Sequence, residues 1–180
     1  MPDLVERACD FARQRHAGQV RKWTKAPYWN HLHDVAELVR VEADGTDEMV
    51  AAAYLHDVIE DTSTKYDEVA ALFGDDVANM VLEVTNPSRH EMGIRKVRVA
   101  IDRQYLAGAS GYGQTIKLAD LINNCSDVVD HDIKFAQVYL AEKWQLLGVL
   151  TKGRQHLWNI AWATLKREQN RLDVRLTDAG

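Results

Sequence analysis

The chain is short of cysteine and proline, and it has no long apolar run and no excess of positive charge. Its 180 residues include two cysteines, Cys9 and Cys125, in neither a zinc-type spacing nor a disulfide framework. A disulfide-stapled secreted scaffold is thereby excluded, and a reduced cytoplasmic setting is the expectation. The three prolines, Pro2, Pro27 and Pro87, leave long stretches free to be helical. No apolar stretch approaches the ~20 residues of a membrane-spanning helix, and MPDLVERACDFARQR lacks the apolar region of a signal peptide. The formal net charge of −5 gives no general attraction to nucleic acid or to an anionic membrane, so neither is expected as a partner. A local basic patch can still hold a small phosphorylated ligand. With no repeat, low-complexity tract or linker, residues 1–180 are expected to form a single domain.

What is present is apolar periodicity. Leu4, Val5, Ala8, Phe11 and Ala12 recur at helical spacing, and Leu32, Val35, Leu38 and Val39 do the same after the polar loop GQVRKWTKAP. Thr46 reads as the N-cap of a helix running through His56 and Asp57, with acids in its first turn. Thr64-x-x-Asp67 resembles a capping box, and AGASGYG reads as a loop. Further helical patterns cover residues 75–84, 91–107, 114–127, 133–149 and 153–169, with Trp158, Trp162 and Leu165 taken as core. The predicted fold class is all-α, with about eight to ten helices.

The segment AAAYLHDVIEDT sets His56, Asp57, Glu60 and Asp61 at the end of an apolar helix. Charged groups are rarely buried unless paired or bound to a metal. At 3.6 residues per turn His56 stands above Glu60, and Asp57 above Asp61. That spacing offers two ligands and two catalytic carboxylates to one pocket. An imidazole and a carboxylate suit a divalent ion such as Mn²⁺, Fe²⁺ or Zn²⁺. Alone, the His-Asp pair is a weak signal that reads first as a surface or helix-capping pair and only second as a metal site. A metal needs further ligands, and His31 and the apolar-flanked Asp120 are the candidates; His33 is a rival pointing off His31's face, and Asp120 alone also reads as half of a buried ion pair. His16, His90, His131 and His156 read as ordinary polar or structural residues.

In order, FARQRHAGQVRKWTKAPYWNHLHDVAELV, AAAYLHDVIEDT, TKYDEVAALFGDDVANMVLEVT and IKLADLINN resemble the hydrolase domain of the RelA/SpoT-homologue alarmone enzymes, within the HD phosphohydrolase superfamily. The resemblance runs from about residue 5 to 165 and leaves no room for a synthetase domain, which points to a stand-alone small alarmone hydrolase with the HD-type helical bundle. It implies that His31, His56, Asp57 and Asp120 hold one Mn²⁺ and that Glu60 and Asp61 serve the attacking water. It also implies that Asn124 contacts the nucleotide ribose, that Arg21 and Lys22 form the basic pair beside the nucleotide, and, more loosely, that Tyr139 lines the pocket. Lys117 is expected beside the site. The reaction implied removes pyrophosphate from the 3′ position of (p)ppGpp.

The chemistry agrees: metal coordination makes hydroxide available near neutral pH, a carboxylate aligns the water, and cations offset charge on the phosphoryl oxygens. Arg95, Lys96, Arg98 and Arg103 are expected to form a solvated helix face, with steering of an anionic substrate as the alternative. Asn124-Cys125-Ser126 departs from the family, which commonly carries an arginine where Ser126 stands. Trp23 either stacks on a base or packs beneath its loop. These departures leave (p)ppGpp and (p)ppApp both open as substrates. Competing readings are an HD phosphatase of another nucleotide and a non-catalytic metal or nucleotide sensor, the latter disfavoured by the intact Glu60-Asp61 pair.

Overall fold

Seven consecutive residues, Met49 to Leu55, are buried. A helix apolar all round must be enclosed on every side. They belong to α3 (Asp47–Leu55), which packs on α1 (Leu4–Arg15), α2 (Tyr28–Glu42) and α6 (Asp75–Val84). The run Ala51-Ala52-Ala53 lets these neighbours approach closely. The computed structural model describes residues 2–178, so the extreme ends of the expected domain lie outside the described residues.

A second enclosed helix, α8 (Gly111–Cys125), buries Gly113 through Ile122 without a break. It packs against α2, α6 and α11 (Gln155–Asp178). Between and around these lie α4 (Val58–Asp61), α5 (Tyr66–Phe73), α7 (Arg95–Gly108), α9 (Val128–His131) and α10 (Ile133–Leu147), with a 3-10 turn at His90–Met92. Among the described residues nine helices have eight residues or more, and the only β feature is an isolated bridge between Val20 and Pro27. The all-α expectation holds, and one continuous apolar cluster runs from Val5 to Leu172.

Local physics sets the helix ends. Thr46 caps α3, its hydroxyl accepting from Met49 N at 3.4 Å. Gly45 precedes it because a Cβ there would lie 2.8 Å from the Val39 carbonyl oxygen.

Four expectations change. α3 ends at Leu55, and His56-Asp57 forms the break before α4, so the two pairs are not stacked along one continuous helix. Thr64 does not cap α5: Lys65 occupies the N-cap position without a side-chain bond, and the buried Thr64 hydroxyl accepts from Thr62. The last three residues of AGASGYG are helical, because Ser110 caps α8 by accepting from Gly113 N at 3.1 Å. Gly113 packs closely on Glu83, where a Cβ would lie 3.1 Å from the Glu83 Cβ. Trp162 is exposed, resting edge-on against Trp144, whereas Leu165 is buried.

Candidate active site

Three helices deliver four side chains to one point. His31 stands in the first turn of α2, His56 at the C-terminus of α3, Asp57 in the following break, and Asp120 in the middle of α8. His56 Nε2 lies 3.0 Å from Asp57 Oδ2 and 3.8 Å from Asp120 Oδ1. His31 Nε2 is 3.6 Å and 3.4 Å from the same two atoms. One ligand atom from each of His31, His56 and Asp57 falls within 4.8 Å of the others.

Both Nε2 atoms are buried and without a hydrogen-bond partner. The far side of each ring explains their orientation. His56 Nδ1 donates to the Ala53 carbonyl at 2.7 Å, and His31 Nδ1 to Asn123 Oδ1 at 2.7 Å. Asn123 in turn donates to Asp34 at 3.2 Å. With Nδ1 as donor, the neutral ring turns its Nε2 lone pair inward. Two such lone pairs and two carboxylates make a donor set that fits a divalent transition ion.

The charges lean the same way. Burial would push His31 down, yet the carboxylates of Asp120 and Asp57 close to it raise it to about 9. Burial opposes ionisation of Asp57, but His56 and His31 hold it well below the usual carboxylate range. Asp120 is likewise held low against burial, chiefly by Lys117, whose Nζ lies 2.8 Å from Oδ2. The two carboxylates thus demand positive charge between them, which a divalent ion supplies in place of the imidazole proton.

Beside the cluster, Glu60 accepts two bonds from Asn86, from its N at 3.0 Å and its Nδ2 at 3.1 Å. Asp61 is pushed up to about 6 by burial and then by the charges of Asp57 and Glu60. The Tyr28 hydroxyl donates to Asp57 Oδ2 at 2.5 Å.

Two cavities flank these groups. One, of about 350 Å³, is polar and lined by Glu60, Asn86, Arg98, Arg103, Lys117 and Lys143 among others. The other, of about 340 Å³, is walled by Trp23, Tyr28, Phe135 and Tyr139, with Arg21, Lys22 and Asn124. Asn124 bridges the loop and the cluster, since its Oδ1 accepts from Arg21 at 2.9 Å and its Nδ2 donates to Asp120. Trp23 packs one face on His131 at 5.9 Å and still lines the aromatic cavity.

Ten of the eleven expected site residues therefore lie in the cluster or line these cavities; Asp61 lines neither cavity and is tied to the site by the charges of Asp57 and Glu60 beside it. His33 lies outside them, being stacked on Trp29 and bonded to Tyr54. Arg95, Arg98 and Arg103 turn toward the polar cavity instead of forming a solvated face, while Lys96 stays outside. Ser126 lines a separate depression with Asp34, Glu37 and Asn123. Sequence reasoning passed over Tyr28, Asn86, Asn123 and Lys143. Asn123, adjacent to Asn124, was the one with a signal, a second amide one position along a helix already carrying Asp120.

Comparison with known proteins places this geometry. The sequence pattern described as HD domain matches residues 8–106. A guanosine-3′,5′-bis(diphosphate) 3′-pyrophosphohydrolase from Drosophila melanogaster is 41% identical over 120 residues, 66% of this chain and 65% of that protein. A probable enzyme of the same name from Synechocystis is 38% identical over 162 residues, 88% of this chain and 21% of that protein. A solved structure described as "A metazoan ortholog of SpoT hydrolyzes ppGpp and plays a role in starvation responses" superposes with a TM-score of 0.83 at 27% identity, covering 93% of this chain and 97% of that one. The chain belongs to the HD-domain family, in its branch of RelA/SpoT homologues.

Proposed function

We propose that the chain is a Mn²⁺-dependent hydrolase that removes pyrophosphate from the 3′ position of purine alarmones, (p)ppGpp and/or (p)ppApp. One observation carries this reading: two buried, unpartnered imidazole nitrogens face two carboxylates, with Lys117 of a basic cavity and Tyr28 and Asn124 of an aromatic cavity bonded to those carboxylates. His31, His56, Asp57 and Asp120 would hold the ion. When bound, it supplies Lewis acidity, lowering the pKa of a nearby water and drawing charge from a phosphoryl oxygen.

The chain's own residues do the rest. Tyr28, Phe135 and Tyr139 offer ring faces to a purine and its ribose, with Arg21 and Lys22 beside them for phosphate. Asn124, tied to both Arg21 and Asp120, positions the ribose edge near the cluster. Asn86 holds Glu60 through both carboxylate oxygens, which fixes its orientation. Asp61 carries no such clamp, and we assign it the acceptance of the water proton, with Glu60 aligning the water. Lys117 offsets charge growing on the phosphoryl group while holding Asp120.

The working unit is proposed to be one domain in a reducing, cytoplasmic setting, consistent with Cys9 and Cys125 both being free. No helix among the described residues is long and apolar enough to cross a membrane, and the proposed partner is a small nucleotide rather than nucleic acid. The test is a panel of guanine and adenine nucleotides incubated with Mn²⁺ and the protein, products separated by chromatography. Release of pyrophosphate from the 3′-diphosphates supports the reading; release of orthophosphate alone, from another nucleotide, replaces it with an HD phosphatase.

A further inference from the structure

His16, expected as an ordinary structural residue, stands outside the four-residue cluster, yet it is buried and its Nε2 has no hydrogen-bond partner. An apolar ring would fill the same space without that bare nitrogen. What the imidazole adds is its other nitrogen, for Nδ1 lies 2.8 Å from Gln19 Oε1. The direction of this bond follows from the far end of Gln19, whose Nε2 lies 3.2 Å from the Asp61 carbonyl oxygen. A carbonyl only accepts, so Gln19 donates there and turns its own oxygen to His16, which makes His16 Nδ1 the donor. Burial, the main influence on His16, pushes it down and keeps the ring neutral. The ring also stacks on Tyr28, centres 5.2 Å apart, and the Tyr28 hydroxyl donates to Asp57.

Asp61 needs such support. It ends α4, a single turn closed by Asp61 N donating to the Asp57 carbonyl at 2.9 Å, and one isolated turn holds itself poorly. Gln19 reaches its backbone from outside that turn, and Gln19 is itself anchored. Its N donates to the His16 carbonyl at 3.0 Å, and its carbonyl accepts from Tyr28 N at 2.9 Å. Gly18 makes the turn between His16 and Gln19 at φ 81°, a conformation that L side chains rarely adopt. His16 and Gln19 thus hold both flanks of the cluster, Tyr28 with Asp57 on one side and Asp61 on the other. Resting on the function proposed above, in which Asp61 accepts the water proton, we infer that His16 and Gln19 are positioning residues that set Asp61 in register with Asp57. The pair acts on the chemical step through Asp61 and touches neither the substrate nor the ion.

The experiment compares wild type with Gln19→Met, which keeps the length of the side chain and loses both of its bonds, in Mn²⁺-loaded protein with ppGpp as substrate. Gln19 is only half-buried, so this variant is expected to fold. Its kcat should fall by roughly tenfold or more, since a misplaced reacting group is costly, with KM and Mn²⁺ affinity within about twofold of wild type. Because Gln19 acts through Asp61, adding Gln19→Met to Asp61→Asn should cost less than about a further twofold. His16→Phe keeps the ring on Tyr28 and should lose as much as Gln19→Met, whereas His16→Asn, whose amide N–H can stand in for Nδ1–H, should recover most of the rate. Amide hydrogen exchange of residues 58–62 should quicken by roughly tenfold or more in Gln19→Met while that of α8 stays the same. An unaltered kcat, a loss that multiplies fully with that of Asp61→Asn, or His16→Phe outperforming His16→Asn overturns the pair's role and leaves the hydrolase reading intact. If the wild type hydrolyses no 3′-diphosphate, the function proposed above falls and exchange alone decides on the pair. Quickening confined to residues 58–62 then supports it, and exchange equal to wild type overturns it.

Discussion

Two groups of buried charge in this molecule are built on opposite rules. On α11, Glu168 is fully buried and every oxygen is used: Oε1 accepts from Arg167 and Arg171, and Oε2 from Arg171 at 2.9 Å. Arg171 and Arg175 then reach Asp130, and Arg175 also donates to the Val129 carbonyl at 3.1 Å. Nothing there is left over. At the meeting of α2, α3 and α8, two imidazole nitrogens are left bare although donors and acceptors crowd around them. An unsatisfied buried polar atom costs about 1–3 kcal/mol, so a fold keeps one only for a purpose. The satisfied network fastens α11 to α9; the unsatisfied cluster is shaped for a ligand.

The largest effect that would break this contrast is expected at the cluster. His56→Ala or Asp57→Ala should lower kcat/KM by on the order of 10³-fold or more, since the metal's contribution is several kcal/mol. Added Mn²⁺ should raise the Tm of metal-depleted wild type and leave that of His56→Ala unmoved. Full metal content in His56→Ala, measured by elemental analysis, would remove it from the set of ligands.

Next come the carboxylates. Asp61→Asn should lower kcat by roughly 10²-fold with metal retained, the scale of general-base catalysis. Glu60→Gln should cost less, because Asn86 already occupies its oxygens. A larger loss for Glu60→Gln in steady-state kinetics would reverse the two roles.

Asn123→Ala sharpens the comparison, since it removes only the partner behind His31. Metal affinity should weaken by roughly 10–100-fold, the usual cost of losing such a support. Equal Mn²⁺ affinity in titrations of variant and wild type would mean that the ring is oriented by packing alone.

The smallest effect on function is expected at the satisfied network. Glu168→Ala should reduce stability by roughly 2 kcal/mol, the range for hydrogen bonds to charged groups, and leave Mn²⁺ affinity alone. Urea unfolding together with metal titration checks both halves. Altered metal binding would join the two clusters that are separated here.

The same contrast explains what could be read in the sequence. His56, Asp57 and Asp120 stood out as candidates because charged residues interrupt apolar helices, a pattern visible in one dimension, while joining them with His31 as one ligand set came from the family resemblance. The capping of α3 by Thr46 was legible for a similar local reason. Arg98 and Lys143 were not, since their direction depends on how α7 and α10 lean toward α8, and a charged helix face looks alike whether it meets water or a cavity. Tyr28 was hidden because its aromatic ring packs on His16 while its hydroxyl reaches Asp57. The start of α8 was misread because Gly113 lies inside a helix packed against Glu83, a residue from a distant helix, and not in a turn.

The central claim is metal-dependent release of intact pyrophosphate. Its most direct test is to deplete the wild-type protein of metal, restore Mn²⁺ in one half, and follow ppGpp by anion-exchange chromatography. The account predicts guanosine 5′-diphosphate and pyrophosphate in equal amounts in the restored half alone. Orthophosphate as the only phosphorus product, or equal turnover without metal, would contradict it.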